Sequence, residues 1–320
     1  MAKLSQNIKE IIKTVGFLVI VGILITAYMI YPLNRTKATM GRQNVDDYNP
    51  DSMVVNDISA YIEAGLCDTG LTDTAEITFD TFRVETDGLT NIACLWLTPS
   101  RNNDSAMGTI FLIHDDEANR DSLAPMAQVF IDSGFSVVVY DQRGTGRSTG
   151  KYRGEGRYEA DDLQEIIRYL DLRGRIVHPL VIVGHSLGAD AAMLCALDEG
   201  RIDCVVAVTP YLSSTRWLDL LKQKHDMIWF PFFRTIMWWW YNIRSSYAAP
   251  YRELEDIRPV GCPTLLIVDN ETITCDEVIR LKEISSAELL YLPTTGEVSP
   301  NDILAFIGEL RVRKLEDQVD

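Results

Sequence analysis

The sequence predicts an α/β protein: a mostly parallel central sheet with helices on both faces. Three observations carry this. From residue 109 onward, short apolar runs alternate with stretches of helical pattern. Runs such as Leu180 to Val183 are continuous in Val, Ile and Leu, as strands buried on both faces read. Between that run and a helix-forming stretch, Leu187 to Leu197, stands Gly184-His185-Ser186-Leu187-Gly188, a glycine-bracketed serine turn.

In chain order, Ala75 to Val84 and Ile92 to Leu97 read as strands joined at Asp87-Gly88, an antiparallel edge. Thr109 to His114 is a strand, Ser122 to Ser133 a helix and Gly134 to Tyr140 a strand. A helix follows from about Tyr158 to Leu172, then the strand Leu180 to Val183 with its helix, and the strand Asp203 to Val208. Thr264 to Val268 and Leu289 to Leu292 are strands followed by helices over about 275–285 and 299–314. This body occupies residues 75–315.

Residues 1–13 form a tail. Residues 14–31, TVGFLVIVGILITAYMIY, hold 18 residues without a charge, enough to span a bilayer core. No small-residue cleavage site follows, so the reading is an uncleaved transmembrane anchor rather than a signal peptide. Lys3, Lys9 and Lys13 precede the span; Arg35, Lys37 and Arg42 follow it. The positive-inside rule is thus nearly balanced. The usual behaviour of a single N-terminal anchor places the globular part on the extracytoplasmic side. Residues 32–74 read as a juxtamembrane connector with a helix over Asn56 to Ala64.

One segment, about 210–258, breaks the alternation. It contains WFPFFRTIMWWWYN, and five of the six tryptophans lie within Trp217 to Trp240. So long a connection needs packing or a function of its own. It reads as a helical cap insertion that buries its aromatics on the carboxyl edge of the sheet, or as an apolar substrate pocket or membrane-facing lid.

A formal charge of -16 argues against a nucleic-acid partner, since no basic cluster tracks phosphates. Six cysteines show no C-x-x-C spacing, and Cys94, Cys195 and Cys204 lie in apolar runs that suit buried thiols. With four histidines in the chain, neither a metal nor a cofactor is expected.

The glycine-bracketed serine has a mechanical logic. A strand-to-helix turn this tight leaves room only for glycine two residues either side of the serine. It lifts the Ser186 hydroxyl out beside the Leu187 amide at a helix N-terminus. Two further stretches accompany it: Phe111-Leu112-Ile113-His114, similar to a strand end that normally reads His-Gly, and Tyr140-Asp141-Gln142-Arg143-Gly144-Thr145-Gly146-Arg147-Ser148, a D-x-R-G-x-G-x-S turn. Together, over roughly residues 75–315, the three resemble the α/β-hydrolase superfamily, in its serine-aminopeptidase-like and membrane-anchored branch.

The resemblance implies Ser186 as nucleophile and oxyanion donors at Leu187 and at Asp115 or Asp116. It implies an acid after the strand Thr264 to Val268, where Thr272 falls at the expected position and Asp269 or Glu271 can substitute after a small shift. The general base belongs in a Gly-His pair after the last strand, where this chain has Gly296-Glu297. A carboxylate is ~2 pKa units more acidic than imidazole and a poor base for a serine. His225, within the insertion, is the remaining candidate base, since no histidine follows it. The oxyanion glycine is replaced as well, by Asp115-Asp116-Glu117, whose charges oppose a developing oxyanion. Asp141 and Arg143 read as loop supports, His185 as a filler pointing away from the serine, and His178 as structural at the far end of the sheet.

Two functions follow. One is a membrane-anchored serine hydrolase acting on an ester, lipid or peptide-like substrate. The other is a catalytically inactive pseudoenzyme that binds a ligand, lipid or protein partner. A transferase on the same scaffold is a third.

Overall fold

The structure is a computed structural model. It describes residues 13–17, 20–22, 24, 78–99, 106–115, 118–150, 156–212, 216, 261–269, 289–294 and 298–316. The chain divides into two compact units, Met1–Met40 with Trp217–Ala249 and Gly41–Arg216 with Pro250–Asp320. All elements below belong to the second.

The strands are β1 (Thr78–Thr86), β2 (Thr90–Thr98), β3 (Thr109–Ile113), β4 (Ser136–Tyr140), β5 (Leu180–His185), β6 (Cys204–Val208), β7 (Thr264–Asp269) and β8 (Leu289–Thr294). The helices are α1 (Ala124–Asp132), α2 (Arg157–Asp171), α3 (Leu187–Asp198) and α4 (Pro300–Glu316). Among the described residues they form one sheet in the order β1-β2-β4-β3-β5-β6-β7-β8. The pairs β1–β2 and β2–β4 are antiparallel and all others parallel, so the expected antiparallel edge is present.

Both faces are covered, which is why the strands read as unbroken apolar runs. Leu163, Ile166, Ile167 and Leu170, at helical spacing on α2, pack with α3 and with Phe111, Val138 and Ile182 on one face. Phe130 and Ile131 of α1 and Ile303, Phe306 and Ile307 of α4 meet Ile110, Leu112, Val137 and Val183 on the other. Cys94, Cys195, Cys204 and Cys262 are buried thiols that form no disulfide. Burial pushes Cys94 and Cys195 far above the usual thiol range and Cys262 up to about 11.

Some boundaries differ from the sequence reading. The helix expected over Ser122 to Ser133 begins as a 3-10 turn, Arg120–Leu123, before α1 takes over with Pro125 in its first turn. There the missing N–H costs nothing. β3 ends one residue early, and β5 runs on to His185 because it keeps its register with β6 up to Val208. The readings over 1–12 and 25–77, about 275–285, and the insertion apart from 210–212 and Arg216 lie outside the described residues. Among those described, no helix is long and apolar enough to cross a membrane.

The D-x-R-G-x-G-x-S turn is a structural knot. Asp141, fully buried, accepts from the amides of Arg120 at 3.0 Å and Arg147 at 2.9 Å. A Cβ at Gly146 would meet the Asp141 carboxylate, and the glycine adopts φ +46°, so both sterics and backbone require it. Arg143 forks onto Asp162 of α2 through Nε at 2.7 Å and Nη2 at 2.6 Å, and reaches Asp87 of the β1–β2 turn at 3.2 Å. Thr86 donates to the same Asp162 carboxylate at 2.5 Å.

Removing one partner of a buried ion pair strands the other. The Asp162→Ala variant is expected to lose about 3 kcal/mol of unfolding free energy, read as a fall in the urea midpoint.

Candidate active site

The sheet order places a topological switch between β3 and β5, because β3 leads to β4 on one side while β4 crosses back to β5 on the other. Ligands of open α/β sheets sit in the crevice at the carboxyl ends of such neighbours. The loop after β3 and the turn after β5 both open there. Each was singled out by the sequence.

The turn at Ser186 is held by close backbone approach. Ser186 has φ 49° and ψ −113°, outside the regions that L-residues favour. A Cβ at Gly184 would run into the Gly188 carbonyl and the Ala189 amide. Alternation along β5 puts Gly184 on the α3 face, which explains that collision. At Gly188 a Cβ would stand 2.7 Å from the His114 carbonyl oxygen and 2.9 Å from that of Ile113. The elbow is therefore wedged against the end of β3. The Ser186 amide donates to Val208 of β6 at 2.9 Å, and its carbonyl accepts from Ala189 at 3.0 Å to start α3. Leu187 is the first residue of that helix, so its amide has no intrahelical acceptor and lies next to the serine.

The loop after β3 is fixed by His114. Its Nε2 accepts from the Gln142 amide at 3.0 Å, which makes Nδ1 the protonated nitrogen; Nδ1 then donates to the Asp115 carbonyl at 2.6 Å. Gln142 Nε2 also donates to the His114 carbonyl at 2.5 Å. The knot at Asp141 thereby supports the end of β3, and the end of β3 supports the elbow. Gln142 was missed in the sequence, where it occupies the unconstrained position of D-x-R-G.

His185, the residue before the serine, lies by strand alternation on the face of α1 and α4, away from α3. Its Nε2 is buried without a hydrogen-bond partner. Burial lowers its pKa below the usual imidazole value, opposed by the nearby Asp115 carboxylate. His178, at the opposite end of β5, shares Asp203 with the Leu180 amide, at 2.5 Å and 2.7 Å respectively. That is a structural role.

Of the remaining predicted site residues, one ends a strand at the same carboxyl edge of the sheet and the others lie outside the described residues. Asp269 is the last residue of β7, paired in register with Thr294 of β8. Asp116, Glu117, His225, Glu271, Thr272 and Glu297 lie outside the described residues. Ser186, Leu187 and Asp115 stand at neighbouring turns of that edge, and Asp269 lies at the end of β7 on the same edge.

Two outcomes are expected. Gly188→Ala, which forces backbone apart, should cost about 1–3 kcal/mol in denaturant unfolding. Because His185 binds its proton less readily folded than unfolded, stability should fall as pH drops below the ordinary imidazole value, down through its lowered folded pKa. His185→Asn should flatten that limb of a Tm-against-pH curve.

Comparisons with known proteins bear on the fold and the family likeness. Residues 104–253 match the family described as Serine aminopeptidase, S33 (Hydrolase_4). The uncharacterized protein YqkD of Bacillus subtilis is 34% identical over 197 residues, covering 59% of this chain and 64% of that protein. A bifunctional esterase/perhydrolase of Acinetobacter calcoaceticus is 38% identical over 80 residues, 25% of this chain and 27% of the other. Both matches therefore cover less than two thirds of the relative's length. An esterase of Pyrococcus furiosus superposes with a TM-score of 0.58 at 19% identity, covering 77% of this chain and 95% of its own, which bears on the fold alone. With the sheet order, the strained serine turn and these likenesses in agreement, the chain has the α/β-hydrolase fold and is similar to the serine-aminopeptidase family over residues 104–253.

Proposed function

We propose that the chain is a membrane-anchored serine hydrolase acting on an ester, lipid or peptide-like carbonyl, with Ser186 as nucleophile. The observation that carries this is the backbone of Ser186, held at positive φ between two glycines that admit no side chain. Strain of this kind persists where the surroundings over-determine it, and it aims the hydroxyl at the switch-point crevice. The esterase/perhydrolase name of the Acinetobacter relative supports acyl chemistry.

In this reading the Ser186 hydroxyl attacks the carbonyl carbon and gives its proton to a base. The oxyanion lies beside the Leu187 amide and a donor from Asp115 or Asp116. Collapse expels the leaving group with a proton, and water then releases the acyl group from the serine oxygen. His225 is the candidate base, and Asp269 or Glu271 the candidate acid. Residues 14–31 hold the protein in the membrane, with the catalytic body on the extracytoplasmic side.

A second reading, a non-catalytic binding protein, is favoured by one observation. Glu297 stands where the base belongs, and no histidine follows His225.

Labelling of the full-length protein in detergent with a fluorophosphonate probe separates the two. The hydrolase reading expects labelling that Ser186→Ala abolishes and that His225→Ala reduces by 100-fold or more, roughly the contribution of a general base. An unlabelled, folded wild type would sink it and leave the binding reading. For the anchor, the full chain should stay with membranes through an alkaline carbonate wash; release into the supernatant would remove that part of the proposal.

A further inference from the structure

Asp190, four residues after Ser186, plays no part in the chemistry above, yet its carboxylate is engaged at both oxygens. Oδ2 accepts from the Tyr211 amide at 3.0 Å and Oδ1 from the Leu212 amide at 2.8 Å. Those amides belong to the loop that leaves β6. We propose that Asp190 is a positioning residue: it clamps Thr209–Leu212 against the serine turn and so sets which acyl groups reach Ser186. The proposal rests on the serine-hydrolase reading.

Three features make this more than a stray helix-terminal acid. First, the loop follows a strained path. Thr209 has φ 45° and Leu212 φ 65°, and neither is glycine. Residues of this shape leave such conformations unless several contacts oppose it. Here Thr209 N donates to Ile267 O at 2.7 Å at one end, and Leu212 is buried in the core at the other. The Tyr211 amide between them and the amide of Leu212 itself are held by Asp190.

Second, the helix turn that carries Asp190 is closely packed. A Cβ at Gly156, which precedes α2, would stand 3.1 Å from the Asp190 Cβ and 3.4 Å from the Ala191 amide. The chain entering α2 thus leaves no room for a side chain at Gly156 against the root of Asp190.

Third, the loop is the serine's immediate neighbour. His185 pairs with Val208 in the parallel register, and Ser186 N donates to Val208 O at 2.9 Å. The next residue of each strand, Ser186 and Thr209, therefore leaves the sheet side by side. An acyl group on Ser186 occupies the crevice that opens at this edge, and a shift of the loop changes the room beside the carbonyl without moving the serine.

The test uses full-length protein in detergent, as wild type, Asp190→Ala and Asp190→Asn, with fluorophosphonate probes carrying a short and a long alkyl chain. Hydrogen exchange over residues 205–212 is followed in parallel. With both acceptors gone, Asp190→Ala should raise exchange at Tyr211 and Leu212 by about tenfold or more, leaving residues 191–198 unchanged. The ratio of long-probe to short-probe labelling rates should shift by about tenfold, and Asp190→Asn, which keeps one acceptor oxygen, should fall between. An unchanged ratio overturns the proposal. So does exchange that rises equally through α3 and the sheet, since Asp190 would then serve stability alone. If wild type takes up neither probe, the serine reading falls and the selectivity claim with it; the exchange data still decide whether Asp190 holds the loop.

Discussion

The backbone around Ser186 passes so close to itself and to the end of β3 that two positions along it admit only a hydrogen atom. Gly184 faces the start of α3, and Gly188 faces the carbonyls of Ile113 and His114. This contact fixes three things together: the strained serine, the direction of α3, and the distance between the two loops of the crevice. A side chain at either glycine would have to separate backbone from backbone, and backbone has no rotamer with which to yield.

Support for that contact arrives through a relay of hydrogen bonds from the far side of β3. Asp141 gathers the amides of Arg120 and Arg147. Gln142, next in sequence, then meets both the ring and the carbonyl of His114. Polar groups this deeply buried have few alternatives to their present partners, so the relay is stiff. The motif around Asp141 is conformational machinery, and Ser186 benefits from it at a distance of two strands.

Within the proposed hydrolase chemistry, the two departures from the superfamily pattern bear on different steps. Asp115, at the position of the oxyanion-loop glycine, puts a carboxylate near His185, on the side where that proposal sets the oxyanion. Glu297, at the position of the histidine, takes away the residue that the proposal needs to accept the serine proton. The wedge between the elbow and β3 is made by backbone approach at Gly184 and Gly188, and a preserved elbow is weaker testimony to turnover than a reactive serine.

By itself the sequence determined the order and type of the elements and the identity of the elbow. Strands buried on both faces leave unbroken runs such as Leu180 to Val183, and a turn without room for Cβ leaves glycines at a set spacing; both are local imprints of steric and solvation constraints. The partners of the polar residues were decided only by tertiary structure. Thr86 and Asp162 meet across 76 residues, Gln142 and His114 across 28, and Asp190 and Tyr211 across 21. A carboxylate in a sequence carries no mark of which amide or guanidinium it will face, because that pairing exists only once the strands between have packed. For the same reason Asp190 reads as an ordinary acid in the first turn of a helix until the loop after β6 is folded against it.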